Sequence, residues 1–177
     1  ERQRFAFQDL LAVVPGEHKA LFLLKNKTAR DFSSFETPLV PPASIAAGRP
    51  GLSAPLLFQA RETVPEAERR NLKAFVFGGR QYLVGARNEF TTSGTLGVFI
   101  QAWNLDKLGA GAAPAFVLDL VPLDTNESAG RFPLAEVVPD PADPATLLVS
   151  GSVSLKDIKP GYYRAEISAR SADGTPL

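Results

Sequence analysis

The chain has 177 residues, of which 45% are hydrophobic and 21% are charged, so it can bury a core and has the balance of a globular protein. Nineteen basic side chains offset nineteen acidic ones, which excludes a global field that attracts nucleic acid or an anionic membrane. Cysteine is absent, which excludes a disulfide framework, a thiolate nucleophile and a cysteine-ligated zinc. No apolar run approaches the roughly 20 residues that span a bilayer.

Near the N-terminus, a turn followed by a strand is predicted in a segment that recurs late in the chain. Residues 13–25 (VVPGEHKALFLLK) align with residues 158–170 (IKPGYYRAEISAR), sharing proline, glycine and alanine and matching in kind at three further positions. Strand alternation places Ala20 and Phe22 on one face of the first copy. Ala165 and Ile167 occupy the matching positions on one face of the second copy. We therefore expect an internal repeat, with a strand-rich partial β unit at residues 1–42 that includes a strand over 5–14.

The two copies differ on their second face. Leu21 and Leu23 stand where the later copy has Glu166 and Ser168. Leaving two leucines in water forgoes about 1.5–3 kcal/mol each, and an isolated two-stranded piece is marginal. We therefore expect the N-terminal segment to pack on the rest of the chain.

The middle of the chain is predicted to be a connector. Five prolines and two glycines fall within residues 38–55, a composition that disfavours helices and central strands. Residues 63–72 carry mixed charges and predict a short helix that begins at Pro65. We take residues 43–72 as a proline-rich connector with a possible short helix.

The β pattern resumes at residue 73 and continues to residue 177. Gly78-Gly79 between two apolar runs predicts a tight hairpin, and residues 95–105 are apolar on both faces, as expected of a strand inside a layered structure. Further strands are predicted at 115–121 and 146–155, and Pro141 and Pro144 mark a turn at 140–144. The whole pattern predicts an all-β, Ig-like antiparallel sandwich at residues 73–177.

Catalytic residues are scarce in this sequence. His18 is the only histidine, so a multi-histidine metal site is excluded and a Ser-His-acid triad has one candidate base. His18 lies two residues past a predicted turn, where a half-buried strand end is the simpler interpretation, and the Gly-x-Ser-x-Gly elbow of hydrolases is absent. The acidic residues near 119–127 and 140–143 match no standard calcium loop. We predict no enzyme activity, no cofactor and no metal site.

Aromatic side chains are the remaining candidates for ligand contact. A sugar-binding module presents flat exposed rings, and the rings considered are Tyr82, Trp103, Phe132 and Tyr162. Trp103 lies in the most apolar strand and is predicted to be a core residue. The candidate ligand-binding residues are therefore Tyr82 and Tyr162.

Two segments carry a resemblance to a known group of proteins. The string PGYYRAEI at 160–167 is similar to the closing strand of bacterial Ig-like modules, and KAFVFGGRQYL at 73–83 with FTTSGTLGVFIQAWNL at 90–105 resembles a larger group. These are the β-rich C-terminal regions of acidobacterial-type secreted proteins with von Willebrand factor A-like or GWxTD regions. The Asp-x-Ser-x-Ser metal motif and the GWxTD string are both absent here. The resemblance implies a non-enzymatic, extracytoplasmic accessory region.

Because the chain has no methionine and opens on Glu1, we expect it to belong to a longer protein. The leading hypothesis is a non-catalytic structural or protein-interaction module of a periplasmic or secreted protein. Its partners would be other domains of the parent chain or another protein, with no nucleic acid and no membrane insertion. The alternative is a carbohydrate-binding β-sandwich module that binds a glycan, and a third hypothesis is a hydrolase that uses His18.

Overall fold

A computed structural model describes residues 13, 16–40, 48–68, 74–85, 87–105, 114–171, 174 and 176. Its described residues divide into two compact units, one within residues 11–48 and the other within residues 49–177. The first unit holds β1 (His18–Asn26) and β2 (Asp31–Leu39). The second holds β3 (Gly51–Leu52), β4 (Leu56–Phe58), β5 (Ala60–Thr63), β6 (Val76–Phe77), β7 (Arg80–Leu83), β8 (Thr95–Trp103), β9 (Ala115–Pro122), β10 (Gly130–Pro133), β11 (Glu136–Asp140), β12 (Asp143–Ser154) and β13 (Tyr163–Arg170).

The first unit is an antiparallel hairpin. Strands β1 and β2 pair along their whole length, with Phe22 opposite Phe35, and the side chain of Asn26 closes the turn by accepting from the amides of Thr28 and Ala29 at 3.0 and 3.1 Å. The strand predicted from Lys19 onward is confirmed. Most of the strand predicted over residues 5–14 lies outside the described residues.

The second unit is an all-β sandwich, as the sequence predicted. Sheet I has the order β10–β9–β13, and sheet II has the order β11–β12–β8–β3, with β4 also paired to β8. The pairings of these strands are antiparallel. Buried side chains from β8, β9 and β12, among them Val98, Ile100, Phe116, Leu118 and Val149, form the core cluster that joins the two sheets.

A small third sheet covers the other face of sheet II. Sheet III has the order β5–β7–β6, and its Tyr82 packs with Phe99 of β8 at a ring distance of 4.6 Å. Strand β8 therefore buries both faces, one in the sandwich core and one under sheet III. The two-sided apolar pattern of residues 95–105 predicted this interior position.

The Gly78-Gly79 hairpin is also confirmed. Gly78 has a φ of 55° and Gly79 a φ of 76°, and these are the two positive angles that a type I′ turn requires. The turn joins β6 to β7, which pair in register. At the other predicted turn, Pro141 and Ala142 connect β11 to β12.

The structure differs from the prediction in the connector, residues 43–72. Residues 51–63 hold three short strands that pair with β8 or β7 and belong to the sandwich unit. Sequence patterns missed them because strands of two to four residues are too short to show alternation. Pro65 precedes a single 3₁₀ turn, Glu66–Glu68. Among the described residues, no helix is long and apolar enough to cross a membrane.

The two similar segments both form strands, but in different settings. Strand β1 belongs to a two-stranded hairpin, whereas β13 pairs with β9 at the side of sheet I. In β13 the register places Ala165 opposite Leu120 and Ile167 opposite Leu118, on the core side. Leu21 and Leu23, which lie on one face of β1, are 68% and 63% exposed. The origin of the two strands as a repeat remains a prediction, as does the packing of the N-terminal segment on the sandwich.

Candidate functional site

Several loops meet at one end of the sandwich. Because β9 is antiparallel to β13 and β8 is antiparallel to β12, the loop after β9, the start of β8 and the segment between β12 and β13 share this end. The last segment, Ile158–Tyr163, borders two cavities at once, and we call it the ridge. The site is therefore a ridge with a cavity on either side.

Backbone contacts hold the ridge in place. The Tyr163 hydroxyl donates to the carbonyl of Lys159 at 2.6 Å, and the amide of Leu123 donates to the carbonyl of Tyr162 at 3.0 Å. The amide of Ile158 donates to the carbonyl of Leu155 at 3.0 Å. These bonds use the backbone and the Tyr163 side chain, and they leave the Tyr162 side chain 85% exposed.

The first cavity, which we call the apolar cavity, has a volume of about 430 Å³. It reaches between the sheets to the side chains of Leu57, Leu96, Leu120 and Leu155. The polar side chains of Asn88, Thr92 and Lys159 also line it. Ala165 also lines it, and this small side chain fills little of the space opposite Leu120. The volume falls within the range of roughly 300–1,000 Å³ that is usual for small-ligand sites.

The second cavity, which we call the acidic cavity, has a volume of about 560 Å³. Asp124, Glu127 and Asp157 line it together with Lys159. No ion pair joins these four side chains to another described residue. Within the described part of the chain, no group of three or more histidine, cysteine or acidic side chains is arranged to hold a metal ion.

Asp119 holds one wall of the acidic cavity in place through hydrogen bonds to its carboxylate. Ser128, which lines the cavity, donates to the Asp119 carboxylate at 2.6 Å, and Nε of Arg131 donates to the same carboxylate at 2.9 Å. The hydrogen bond from Ser128 lowers the pKa of Asp119 below its ordinary value, and Arg131 lowers it further against the opposing effect of desolvation. An ionised Asp119 therefore anchors the loop that carries Asp124 and Glu127.

A second polar cluster lies between sheets II and III, and we call it the Glu136 clamp. The Glu136 carboxylate accepts hydrogen bonds from Arg61 and Arg80 of sheet III and from Ser150 at 2.9 Å. Arg61 also donates to the Ser150 hydroxyl at 3.2 Å. A cavity of about 190 Å³ opens beside it. The two arginines share this one carboxylate, so the cluster joins the sheets and carries one net positive charge (2 − 1).

Two groups at the clamp have shifted pKa values. Burial opposes ionisation of Glu136, but the hydrogen bonds from Arg61, Ser150 and Arg80 outweigh it and hold the pKa of this carboxyl below its ordinary value. Burial raises the pKa of the Tyr82 hydroxyl above its ordinary value. Both groups therefore keep one protonation state near neutral pH, and neither is poised to transfer protons there.

The structure places the two predicted ligand-binding residues in different settings, Tyr82 in the core and Tyr162 at the surface. Tyr82 is 3% exposed and packs edge-on against Phe58 at 4.9 Å, so its ring cannot stack on a ligand, and that assignment is corrected. Trp103 is buried, and Phe132 is partly buried against the core. Tyr162 alone of the four rings considered is well exposed.

Sequence reasoning missed both the ridge cavities and the clamp. His18, the candidate base, lies at the start of β1 opposite Leu39 and lines neither cavity of the ridge. Residues that form the clamp are up to 89 positions apart, and no local pattern pairs them. The proline and glycine at 160–161 signalled a turn, but the cavities depend on how that turn meets other loops.

Comparisons with family models, with curated proteins and with solved structures found no match to this chain. The functional argument therefore rests on the geometry of the site.

Proposed function

We propose that this chain is a non-catalytic protein-interaction module of a larger extracytoplasmic protein, and that the ridge is its binding site. One observation carries the proposal: the Tyr162 ring is held 85% exposed by a fixed backbone between two cavities. Tyrosine is enriched among residues that dominate protein interfaces, because it combines a large apolar ring with a polar tip. A fixed ridge also limits the conformational entropy that is lost on binding.

A contact within the ridge supports an Ig-like classification. The Tyr163 hydroxyl bonds to a backbone carbonyl four residues upstream, at the start of the last long strand. Immunoglobulin-like sandwiches use a similar bond in their tyrosine corner. This likeness and the two packed antiparallel sheets are the grounds on which we place the module in that class.

The hairpin unit favours a protein partner. Large apolar side chains are exposed on both of its faces, namely Leu21, Phe22, Leu23, Leu24, Phe32 and Phe35. Exposed apolar patches of this kind mark interaction surfaces in soluble proteins. The absence of cysteine and the resemblance to secreted proteins are the grounds for proposing a periplasmic or secreted location.

A peptide selection tests the proposed function directly. A random peptide library displayed on yeast would be sorted for binding to the purified chain and then screened against the Tyr162→Ala variant. We expect peptides that bind the wild-type chain and lose at least tenfold in affinity for the variant. A hydrolase panel run on the same protein should show no turnover. Selected peptides that bind both proteins equally, or turnover in the panel, would overturn the proposal.

The alternative function is glycan binding. One observation favours it: an exposed tyrosine ring stands beside three carboxylates, and carboxylates accept hydrogen bonds from sugar hydroxyls. A glycan array probed with the wild-type chain and the Tyr162→Ala variant separates the two functions. If a glycan binds in a Tyr162-dependent manner and the peptide selection fails, the ligand of the ridge is a sugar and not a protein.

A further inference from the structure

The two cavities of the ridge share one wall and differ in the other side chains that line them. The apolar cavity is walled by leucines from both sheets, including Leu57 and Leu120. Burying a leucine or phenylalanine side chain in such a space contributes about 1.5–3 kcal/mol of transfer free energy, or roughly ten- to a hundredfold in affinity. The leucine-lined part of this cavity has the chemistry that suits a bulky apolar side chain.

The acidic cavity carries a local excess of negative charge. Three carboxylates, those of Asp124, Glu127 and Asp157, line this cavity together with one ammonium group, that of Lys159. The net charge of these four side chains is therefore −2 (1 − 3). The chain as a whole has a formal charge of zero, so the charge is local to the cavity. Two other carboxylates of the sandwich are paired with arginine, Asp119 with Arg131 and Glu136 with Arg61 and Arg80.

We propose that the ridge binds an extended segment of a partner protein that places a bulky apolar side chain in the apolar cavity and a lysine or arginine in the acidic cavity. This inference rests on the proposed function and names its ligand. The cavities share the ridge residues as a common wall, so a single extended segment that crosses Tyr162 reaches both. Side chains of an extended chain alternate in direction at about 3.3 Å per residue, which lets one segment present an anchor to each cavity.

Four matched peptide libraries on yeast test the inference. Each library has twelve-residue peptides with leucine or alanine at one fixed position and lysine or glutamate at a second, two to six residues away. We expect the leucine–lysine library to be enriched at least tenfold over the alanine–lysine library and about threefold over the leucine–glutamate library. At 1 M NaCl, where charges are screened beyond roughly 3 Å, the preference for lysine should vanish while the preference for leucine remains.

Variants connect each preference to its cavity. The triple change Asp124→Asn, Glu127→Gln and Asp157→Asn should abolish the lysine preference and keep the leucine preference. A control with Glu17→Gln, Glu62→Gln and Glu66→Gln removes three exposed carboxylates elsewhere and should leave both preferences unchanged.

Two outcomes overturn the inference in different ways. If peptides bind in a Tyr162-dependent manner but the four libraries are enriched equally, the named ligand is wrong and the proposed function stands. If no library yields a Tyr162-dependent peptide, both the inference and the proposed function are wrong.

Discussion

The Glu136 clamp should contribute measurably to stability, because one carboxylate connects sheet II to sheet III. Glu136→Ala removes the acceptor of two arginines and of the Ser150 hydroxyl, which is 3% exposed. The buried hydroxyl bonded to a charged group accounts for about 1.5–3 kcal/mol, and each partly exposed arginine adds no more than about 1 kcal/mol. We expect the free energy of unfolding to fall by about 2–4 kcal/mol.

Urea denaturation followed by Trp103 fluorescence measures this effect. Trp103 is the only tryptophan, is buried, and lies on β8 of sheet II. For a chain of this size, the loss corresponds to a fall in Tm of roughly 4–16 °C. The matched control is Glu166→Ala, which removes a carboxylate paired with Arg164 at 2.5 Å, both side chains being about half exposed. The control substitution should lower the free energy of unfolding by less than about 1 kcal/mol.

The pH dependence gives a second check on the clamp. Its hydrogen bonds hold the pKa of Glu136 in the folded protein below the unfolded value, so the stabilisation is fully present above the unfolded pKa of about 4.3. It is lost as the pH falls through the lower folded pKa. The difference in stability between the wild-type chain and Glu136→Gln should be constant from pH 6 to 8 and shrink below about pH 4. Equal stabilities of the Glu136→Ala and Glu166→Ala variants at pH 7 would refute the reasoning.

Three further predictions concern packing, the ridge and the hairpin. Gly97→Ala places a Cβ 2.2 Å from the buried ring of Phe58 and should lower the free energy of unfolding by about 1–3 kcal/mol in urea denaturation; a stability equal to that of wild type would contradict the packing of sheet II. Tyr163→Phe removes a bond to a backbone carbonyl and should cost about 0.5–1.5 kcal/mol while increasing amide exchange in the ridge; unchanged exchange would show that the bond does not fix it. Leu21→Ser with Leu23→Ser removes exposed apolar surface and should reduce the fluorescence of bound ANS, and an unchanged signal would show that this surface is covered.

The sandwich could be predicted from sequence where a strand was long enough to show its pattern. Strand β8 has nine residues and apolar side chains on both faces, so its interior position followed from alternation alone. The turn at Gly78 and Gly79 followed from the positive φ angles that glycine tolerates. By contrast, β3 and β4 have two and three residues, and only their pairing with β8 makes them strands.

The candidate site was harder to predict, since it depends on contacts between distant segments. Tyr162 was singled out because it follows a proline–glycine turn, but its two cavities need loops from β8, β9 and β12 to meet. Tyr82 has the same residue type and a strand setting, yet tertiary packing buries it between sheets II and III. Residue type alone cannot distinguish an exposed ring from a core ring.

The most direct test of the central claim is a map of the bound surface. Backbone amide resonances of the ¹⁵N-labelled chain would be followed while the strongest Tyr162-dependent peptide is added. The account predicts that the largest shifts fall on the ridge, Ile158–Tyr163, and on the cavity residues 123–129. Shifts confined to the hairpin strands at residues 18–39, or to the Glu136 clamp, would contradict it.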